Sequence, residues 1–599
     1  MRVLREDLRA ADSGRDIWRF ALRGALLAFV FLRFFFDGFT HPAFNLSATV
    51  VSFVLVAAHL IRQRLTGALE IEEVALLSFF VVSLVSSALS PVRNSGMEHA
   101  GQLLGYWALL FLWTRAFRPQ DSEEVWRAFL YGGLLIVVFG IYQYHGGFEA
   151  TRRFVAEHPE YHYPPTYLDR LKSNRVFSTL VYPNAFACYL DMLIPLGLWA
   201  VLIKRRRALL DATLVALSLY AMWRTQSIGG FLVLGVVVQV FILGAFLRGK
   251  RFAVAVALVL LADAAAAVAV WQTGAVPRVL SVRDRLGYWS SAWHIFRQFP
   301  LFGVGPENFA SVFPAYKLPV SMEAKHAHSI LFETLAETGI VGAVCLFGFF
   351  VLVLRRLAAR HAGSSLWLRA AGLSLCAGLL HNLNDFDFAN PALASFLFIV
   401  CGWVMVCAPV DSPRIPLTRS ASILIISVLA VTMFGTVRIH LAKASLEAAR
   451  TAVSPEERWA ALGRAEALFP HDRVYIEKGE LLFALSRRNP DYLPVAASFY
   501  RAALRLNPYQ SRAYKRLAQI AQETGDISEA ERMYLSLHRS YPAKQEFCLE
   551  IALFYASIGR RDQAARFARL ADACSPVSIE EEERVRLLRK QLEEDGTDR

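Results

Sequence analysis

The stretch KHAHSILFETLAETGIVGAVCLFGFF, residues 325–350, sets two histidines and a lysine ahead of an apolar run. Glu333 and Glu337 sit four residues apart where the polar part gives way to the apolar part. Ionisable groups at the mouth of a membrane segment are expensive and mark a candidate site. A neutral imidazole can take a proton from a hydroxyl near physiological pH, the role read for His328, with His326 as its surface neighbour. A guanidinium stays charged and matches a diphosphate with paired donors. Arg285, with Arg283 two residues away as the fallback, and Arg224 are the candidates for that contact. Asn184 either touches substrate or braces a helix break. Glu333 and Glu337 share a helix face, where they either hold His328 or Arg285 in place or cap the helix end with solvated charge. His381, Asp385 and Asp387 in HNLNDFDFAN read as solvated loop groups, with a site role as the alternative.

The elements that must position these groups are apolar helices. The chain has 599 residues, 55% hydrophobic and 19% charged, and a mean hydropathy of +0.36. Its apolar residues come in blocks of about 20, the length that crosses a bilayer. Candidate spans fall at 17–36, 46–62, 72–89, 100–117, 125–143, 184–203, 208–223, 229–247, 252–272, 329–354, 366–381, 391–408 and 420–438. The expected fold is therefore all-α, a polytopic bundle of about 12–13 spans. The N-terminal residues lack a short apolar core with a cleavage site, so the first span reads as an uncleaved anchor. The basic loops RQR, RAFR, KRRRA, RGKR and RRLAAR fall on one side, assigned to the cytoplasm by the positive-inside rule. The long loops 144–183 and 273–328 then lie outside, as does the region beyond about 440. That distribution accounts for the net charge of +13 and argues against nucleic-acid binding. Cys188, Cys345, Cys376, Cys401 and Cys407 lie in apolar stretches as small core residues, and no CxxC or Cys/His metal spacing occurs.

Beyond residue 440 the chain becomes charged, Ala-rich and helical in period. AYKRLAQIAQETGDISEAERMYLSLHRSYP, residues 513–542, places Tyr514, Leu517, Ala518, Ala521, Ala530, Tyr534, Leu537 and Pro542 at the spacing of a tetratricopeptide helix pair. The pattern recurs 34 residues on at Ile551, Ala552, Tyr555, Ala564, Ala568 and Pro576, and 34 back at Ala496, Tyr500, Ala503 and Pro508. Stacked repeats form an α-solenoid with a face for a protein partner. The expected domains are 1–439, the membrane part with its outer loop at 273–328, and 440–599, the repeats. Cys548 and Cys574 lie near the start of one helix and the end of the next, either bonded or packed as free thiols.

An arginine before a Trp-containing helix (DRLGYWSSAWHIFRQF), then PLFGVGPENF, then AHS and ETGIVG leading a span, resembles the O-antigen ligase/polymerase family of bacterial membrane glycosyltransferases. The upstream VFSTLVYPNAFACYLDMLIPLG is similar to the family's P-N motif, and the resemblance covers about residues 70–440. It implies a GT-C-like membrane bundle and transfer or polymerisation of an undecaprenyl-diphosphate-linked oligosaccharide onto a glycan or lipid-linked acceptor. The reaction would take place at the periplasmic face of the inner membrane, with inversion at the sugar and with no metal and no cofactor. His328 falls on the family's essential histidine, Arg285 on its loop arginine and Asn184 on the P-N asparagine. In one departure, Ile228 stands where the family often has the arginine of S-R-G, and Arg224, one turn earlier, is the substitute. Tyr161, Tyr163 and Tyr167 in EYHYPPTYLDRLKSNR either stack on sugar rings or form an interfacial aromatic belt.

Two other classes compete with this reading. A transporter or channel would show charges at mid-membrane depth and two related halves. Here the deep charges are few (Asp191, Asp211 and Asp263). A membrane scaffold presenting repeats for polysaccharide-export assembly would not need so detailed an outer loop.

Overall fold

The computed structural model describes residues 14–588, apart from 37–41, 94–95, 162, 164, 204–206, 248, 274–279, 320, 360–365, 411–412 and 575–582. Pro576 and parts of the basic loops lie outside the described residues. All thirteen expected spans are helices, with ends within a few residues except where the helix runs on, as at Arg419–Thr451. Among the described residues, seven helices are long and apolar enough to cross a membrane: Ala43–Arg62, Ile71–Leu89, Pro119–Glu157, Pro183–Leu202, Gly249–Val270, Ile330–Ala359 and Arg419–Thr451. Ile228–Gly244 and Pro391–Cys407 are shorter apolar helices. The chain divides into two compact units. One comprises 1–79, 101–272 and 345–433, and the other 80–100, 273–344 and 434–599. The expected 439/440 boundary falls inside the continuous helix Arg419–Thr451.

The first unit is a helical bundle around Pro183–Ile203, whose apolar window is 83% buried. Trp113, Trp126 and Trp403 meet edge to face at its core, a geometry favoured by the ring quadrupoles. Its buried charges are paired, as the low local dielectric requires. Arg356 reaches Glu72 at 2.7 Å and Glu70 at 2.8 Å, and Arg127 reaches Asp211 at 3.2 Å. A two-stranded antiparallel ribbon, Gly67–Glu70 with Arg414–Leu417, ties distant parts of this unit.

The second unit joins the 273–328 loop to the repeats. The turn after Pro300 lies against the start of the following span and pairs with it through the backbone. Val304 N–H donates to the Ala336 carbonyl (3.0 Å), Gly305 N–H to Glu337 (2.8 Å) and Ile340 N–H to Pro300 (2.9 Å). Two glycines make this approach feasible. Gly303 and Gly339 both have φ of +65°, and a Cβ on Gly339 would lie 2.3 Å from the Leu301 carbonyl oxygen. The Ser86 hydroxyl donates into the same place, to the Phe302 carbonyl and to Glu337 at 2.7 Å. Buried Asn308 donates to Ser90 Oγ (2.9 Å), Val92 O (3.2 Å) and Val304 O (2.9 Å). Around this lies a core of Val92, Tyr288, Ala292, Ile295, Val304, Phe309, Val312, Phe313, Ala327 and Ala336.

The repeats are antiparallel helix pairs from Pro455–Leu468 to Arg561–Ala573. The small residues expected at the helix crossings (Ala496, Ala503, Ala518, Ala530, Ala564 and Ala568) are buried, which lets the backbones approach closely. Two N-termini are capped as their sequences dictate: Ser454 accepts from Glu457 N–H and Asp526 from Glu529 N–H. The repeats touch the loop and the connection between Ile71–Leu89 and Met97–Ala116 that carries Arg93. Arg93 N–H donates to the Leu506 carbonyl at 2.7 Å, Tyr509 packs on the loop core and Lys544 lies 3.8 Å from Glu323.

The glycine contact yields a direct test. Gly339→Ala meets both a left-handed backbone and a carbonyl wall, and is expected to cost about 2–4 kcal/mol. Gly348→Ala, in the same helix with nothing within 4 Å of its Cβ, is expected to be neutral or slightly stabilising. Thermal melts of the two variants in detergent should separate them; equal melts would remove the backbone contact as a determinant of stability.

Candidate functional site

Leu280–Gln298 forms the expected helix, but its buried side carries Tyr288, Ser291, Ala292 and Ile295. Leu286 and Trp293 are 39% and 45% exposed. This helix presents two consecutive aromatics to His328. The Tyr288 ring stacks on the imidazole with centroids 5.5 Å apart and planes 28° off parallel. Trp289 Nε1–H donates to the His328 carbonyl (3.3 Å) and its ring stacks on Phe332 (5.4 Å). His328 has φ of +52°, a left-handed conformation uncommon for a residue with a Cβ. Such a backbone persists where surrounding contacts over-determine it. Arg285 is half-buried one turn before Tyr288, while Arg283 is exposed. Burial and the Asp284 carboxylate push the Tyr288 phenol up to about 12, with the Arg285 charge acting the other way.

The acids and the second histidine sort themselves differently from the sequence expectation. Glu333 holds His326, not His328: His326 Nδ1 lies 2.6 Å from Glu333 Oε1, and Ala327 N–H donates to Oε2 at 3.3 Å. Burial works to lower the His326 pKa, but the Glu333 carboxylate more than offsets it, and Glu337 and Glu307 add to the rise, to about 9. His326 is thus a charged brace for the loop that ends in His328. Glu337 is buried, and its Oε1 accepts Phe309 N–H at 3.1 Å. His99 pairs with Glu307 at 3.0 Å, and Glu307 has a left-handed φ of +58°.

The remaining sequence candidates belong to the bundle unit. Arg224 closes the helix Ala208–Thr225. Its guanidinium lies over Trp223 (3.9 Å), Tyr144 (4.1 Å) and Tyr220 (5.3 Å), an aromatic cradle that orients the cation. Asn184 donates to Asp385 (2.6 Å) and accepts from Arg175 (2.9 Å), whose Nε also holds the Thr225 carbonyl at 2.8 Å. Arg175 was not singled out in the sequence. Its signal was the last cation of DRLKSNR, nine residues before Asn184 and just ahead of an apolar run. Tyr163 sits between Tyr161 (6.1 Å) and Tyr167 (6.2 Å, stacked) in an aromatic row.

The solvated reading of HNLNDFDFAN is corrected by burial. His381, Asp385 and Asp387 are each 2% exposed. The His381 ring bridges Asp191 (2.7 Å) on one nitrogen and Asp387 (3.2 Å) on the other, so the short loop folds in to pair charges that would otherwise be stranded. The Cys188 thiol and donor atoms of His381 and Asp387 lie within 4.8 Å of one another, close enough to hold a metal ion, yet both imidazole nitrogens already face carboxylates.

Residues 196–347 match the model of the O-antigen ligase family. The matched segment holds Arg224, Arg283, Arg285, His328 and Glu337, and supports activity of the O-antigen ligase or polymerase type. No curated protein matches the chain. Among solved structures, the crystal structure of yeast Tom70 matches at 12% identity with a TM-score of 0.20, covering 68% of this chain and 93% of that one.

The His326–Glu333 pair predicts a pH response. The folded pKa of His326, about 9, lies above the ordinary histidine value of about 6.5. Its contribution is complete below about pH 6.5 and fades as pH rises through about 9. A series of melts in detergent from pH ~6 to ~10 should show the wild type losing stability across that window, with His326→Gln flatter over it. Parallel curves for the two proteins would contradict the brace.

Proposed function

We propose that this chain, whose residues 196–347 match the O-antigen ligase family, transfers or polymerises an undecaprenyl-diphosphate-linked oligosaccharide onto a glycan or lipid-linked acceptor. The site is the periplasmic face of a bacterial inner membrane. The observation that carries the reading is His328 clasped by Tyr288 and Trp289, on the helix that bears Arg285 one turn earlier. Tyr288 stacks on His328 and also feels the Arg285 charge, which supports reading the histidine and the arginine as parts of one site.

The acceptor hydroxyl attacks the anomeric carbon of the lipid-linked sugar as His328 takes its proton. The new oxygen–carbon bond forms while the carbon–oxygen bond to the diphosphate breaks, which inverts the anomeric centre. The leaving diphosphate is anionic, and Arg285 receives that charge with donors of matching geometry. Within the bundle unit taken by itself, Arg224 in its aromatic cradle and Arg175 with Asn184 are cationic groups suited to an anionic ligand. Arg283 is the reserve contact for the diphosphate. Glu337 acts through the backbone it braces, while the Tyr161–Tyr163–Tyr167 row offers ring faces to a glycan. Guanidinium groups supply the charge balance, so no metal or cofactor enters the scheme.

The domain plan in this reading is a membrane part to residue 439 and repeats from 440 that recruit a protein partner. The loop and the repeats share one compact unit and touch where Tyr509 packs on the loop core and at Lys544–Glu323, which favours the repeats lying on the same, outer side as the loop. A transporter fits less well, because the deep charges Asp211 and Asp191 are engaged by Arg127 and His381.

His328→Ala and Arg285→Ala are expected to insert at wild-type levels, accumulate the lipid-linked donor and lose about 10²–10⁴ in turnover. Extraction of polyprenyl-linked glycans from cells carrying each variant measures this. Normal surface glycan in both strains would end the transferase reading.

A further inference from the structure

The two cysteines outside the apolar helices belong to the last described helix pair of the repeats. Cys548 sits in the first turn of Gln545–Ser557, and Cys574 follows directly on Arg561–Ala573. The antiparallel pairing brings these ends together. Gln545 Nε2–H, one turn before Cys548, donates to the carbonyl of Ala571, one turn before Cys574, at 3.2 Å. Both thiols are buried, at 0% and 6% exposure, and each acts on the other's ionisation, Cys574 raising the Cys548 pKa and Cys548 lowering that of Cys574. Their other polar neighbours are the Pro542 carbonyl (3.8 Å) and His538 Nδ1 (3.9 Å) for Cys548, and the Leu570 carbonyl (3.2 Å) for Cys574.

This corner is also where the repeats meet the loop. Lys317 lies near Cys574 and pairs with Glu323 at 3.1 Å, which in turn faces Lys544 at 3.8 Å. Tyr541, on the same edge, donates to the carbonyl of Tyr509, which packs on the loop core.

We propose that Cys548 and Cys574 are joined by a disulfide in the mature protein, a covalent staple across the last helix pair at the edge where the loop docks. The inference rests on the outer placement of the repeats given above, since that compartment is oxidising. The oxidant is a disulfide-bearing thiol oxidoreductase. Cys574, just beyond the end of its helix, opens the exchange as its thiolate. It displaces one sulfur of the carrier's disulfide to form a mixed disulfide. Cys548 then attacks Cys574, releasing the carrier as its dithiol with both protons and both electrons. Exchange precedes closure of the helix pair, because the folded pair covers both sulfurs.

The test uses full-length protein from membranes, acid-quenched, denatured and alkylated with N-ethylmaleimide before digestion. The expected result is one linked peptide pair holding Cys548 and Cys574, with the other five cysteines alkylated. A reductant should lower the melting temperature of the wild type and leave Cys548→Ser/Cys574→Ser unchanged. Alkylation of both Cys548 and Cys574 overturns the proposal. Protease access to a C-terminal tag in spheroplasts separates the two levels of failure. An accessible tag with free thiols sinks the disulfide alone, while a protected tag with free thiols sinks the outer placement as well.

Discussion

The loop-and-repeat unit depends on one close approach of two backbones. The turn at Pro300–Gly305 and the segment Ala336–Val341 share three short N–H···O=C bonds, and only residues without a Cβ fit at Gly303 and Gly339. Polar groups buried here must all be satisfied. Ser86, Asn308 and the Glu337 carboxylate together do that. The Gly-rich sequences on either side, GVG and ETGIVG, are thus two halves of one contact. That contact sets where the loop helix ends and where the next span begins, and so fixes the frame in which Tyr288 and Trp289 reach His328.

The bundle unit answers a different constraint. Its buried charges are few, and those described here are paired: Arg356 with Glu70 and Glu72, Arg127 with Asp211, His381 with Asp191 and Asp387. Such pairs add little net stability compared with apolar packing, but removing one partner strands the other. They act as register marks between helices whose apolar faces would pack in several ways.

Much of this could be read in the sequence, because hydropathy and the 34-residue period are strong, local signals. Every expected span is a helix, and the alanines of the repeat are buried where the period put them. His328 and Arg285 are candidates because the order of the loop motifs along the chain carries more than any one of them. What stayed hidden depended on three-dimensional pairing. Glu333 was a candidate support for His328 but grips His326, since the chain turns through a left-handed residue between them. Glu337 reads as a support for His328 or Arg285 or as a solvated cap, yet its buried carboxylate accepts a backbone N–H. Arg175 drew no notice because its partners, Asn184 and Thr225, are 9 and 50 residues away. His381 and its acids looked like loop polarity because nothing local signals their burial.

The loop helix leaves an oily flank at Leu286 and Trp293, and a surface of that kind settles at the depth of lipid headgroups. A long isoprenoid anchor costs roughly 0.8 kcal/mol for each CH₂ drawn out of hydrocarbon, so lifting it into water is prohibitive. In the proposed reaction, a centre riding at the headgroup plane would spare such an anchor that journey. The traffic is then carried by the water-loving partner, which descends to the membrane while the grease stays where it is.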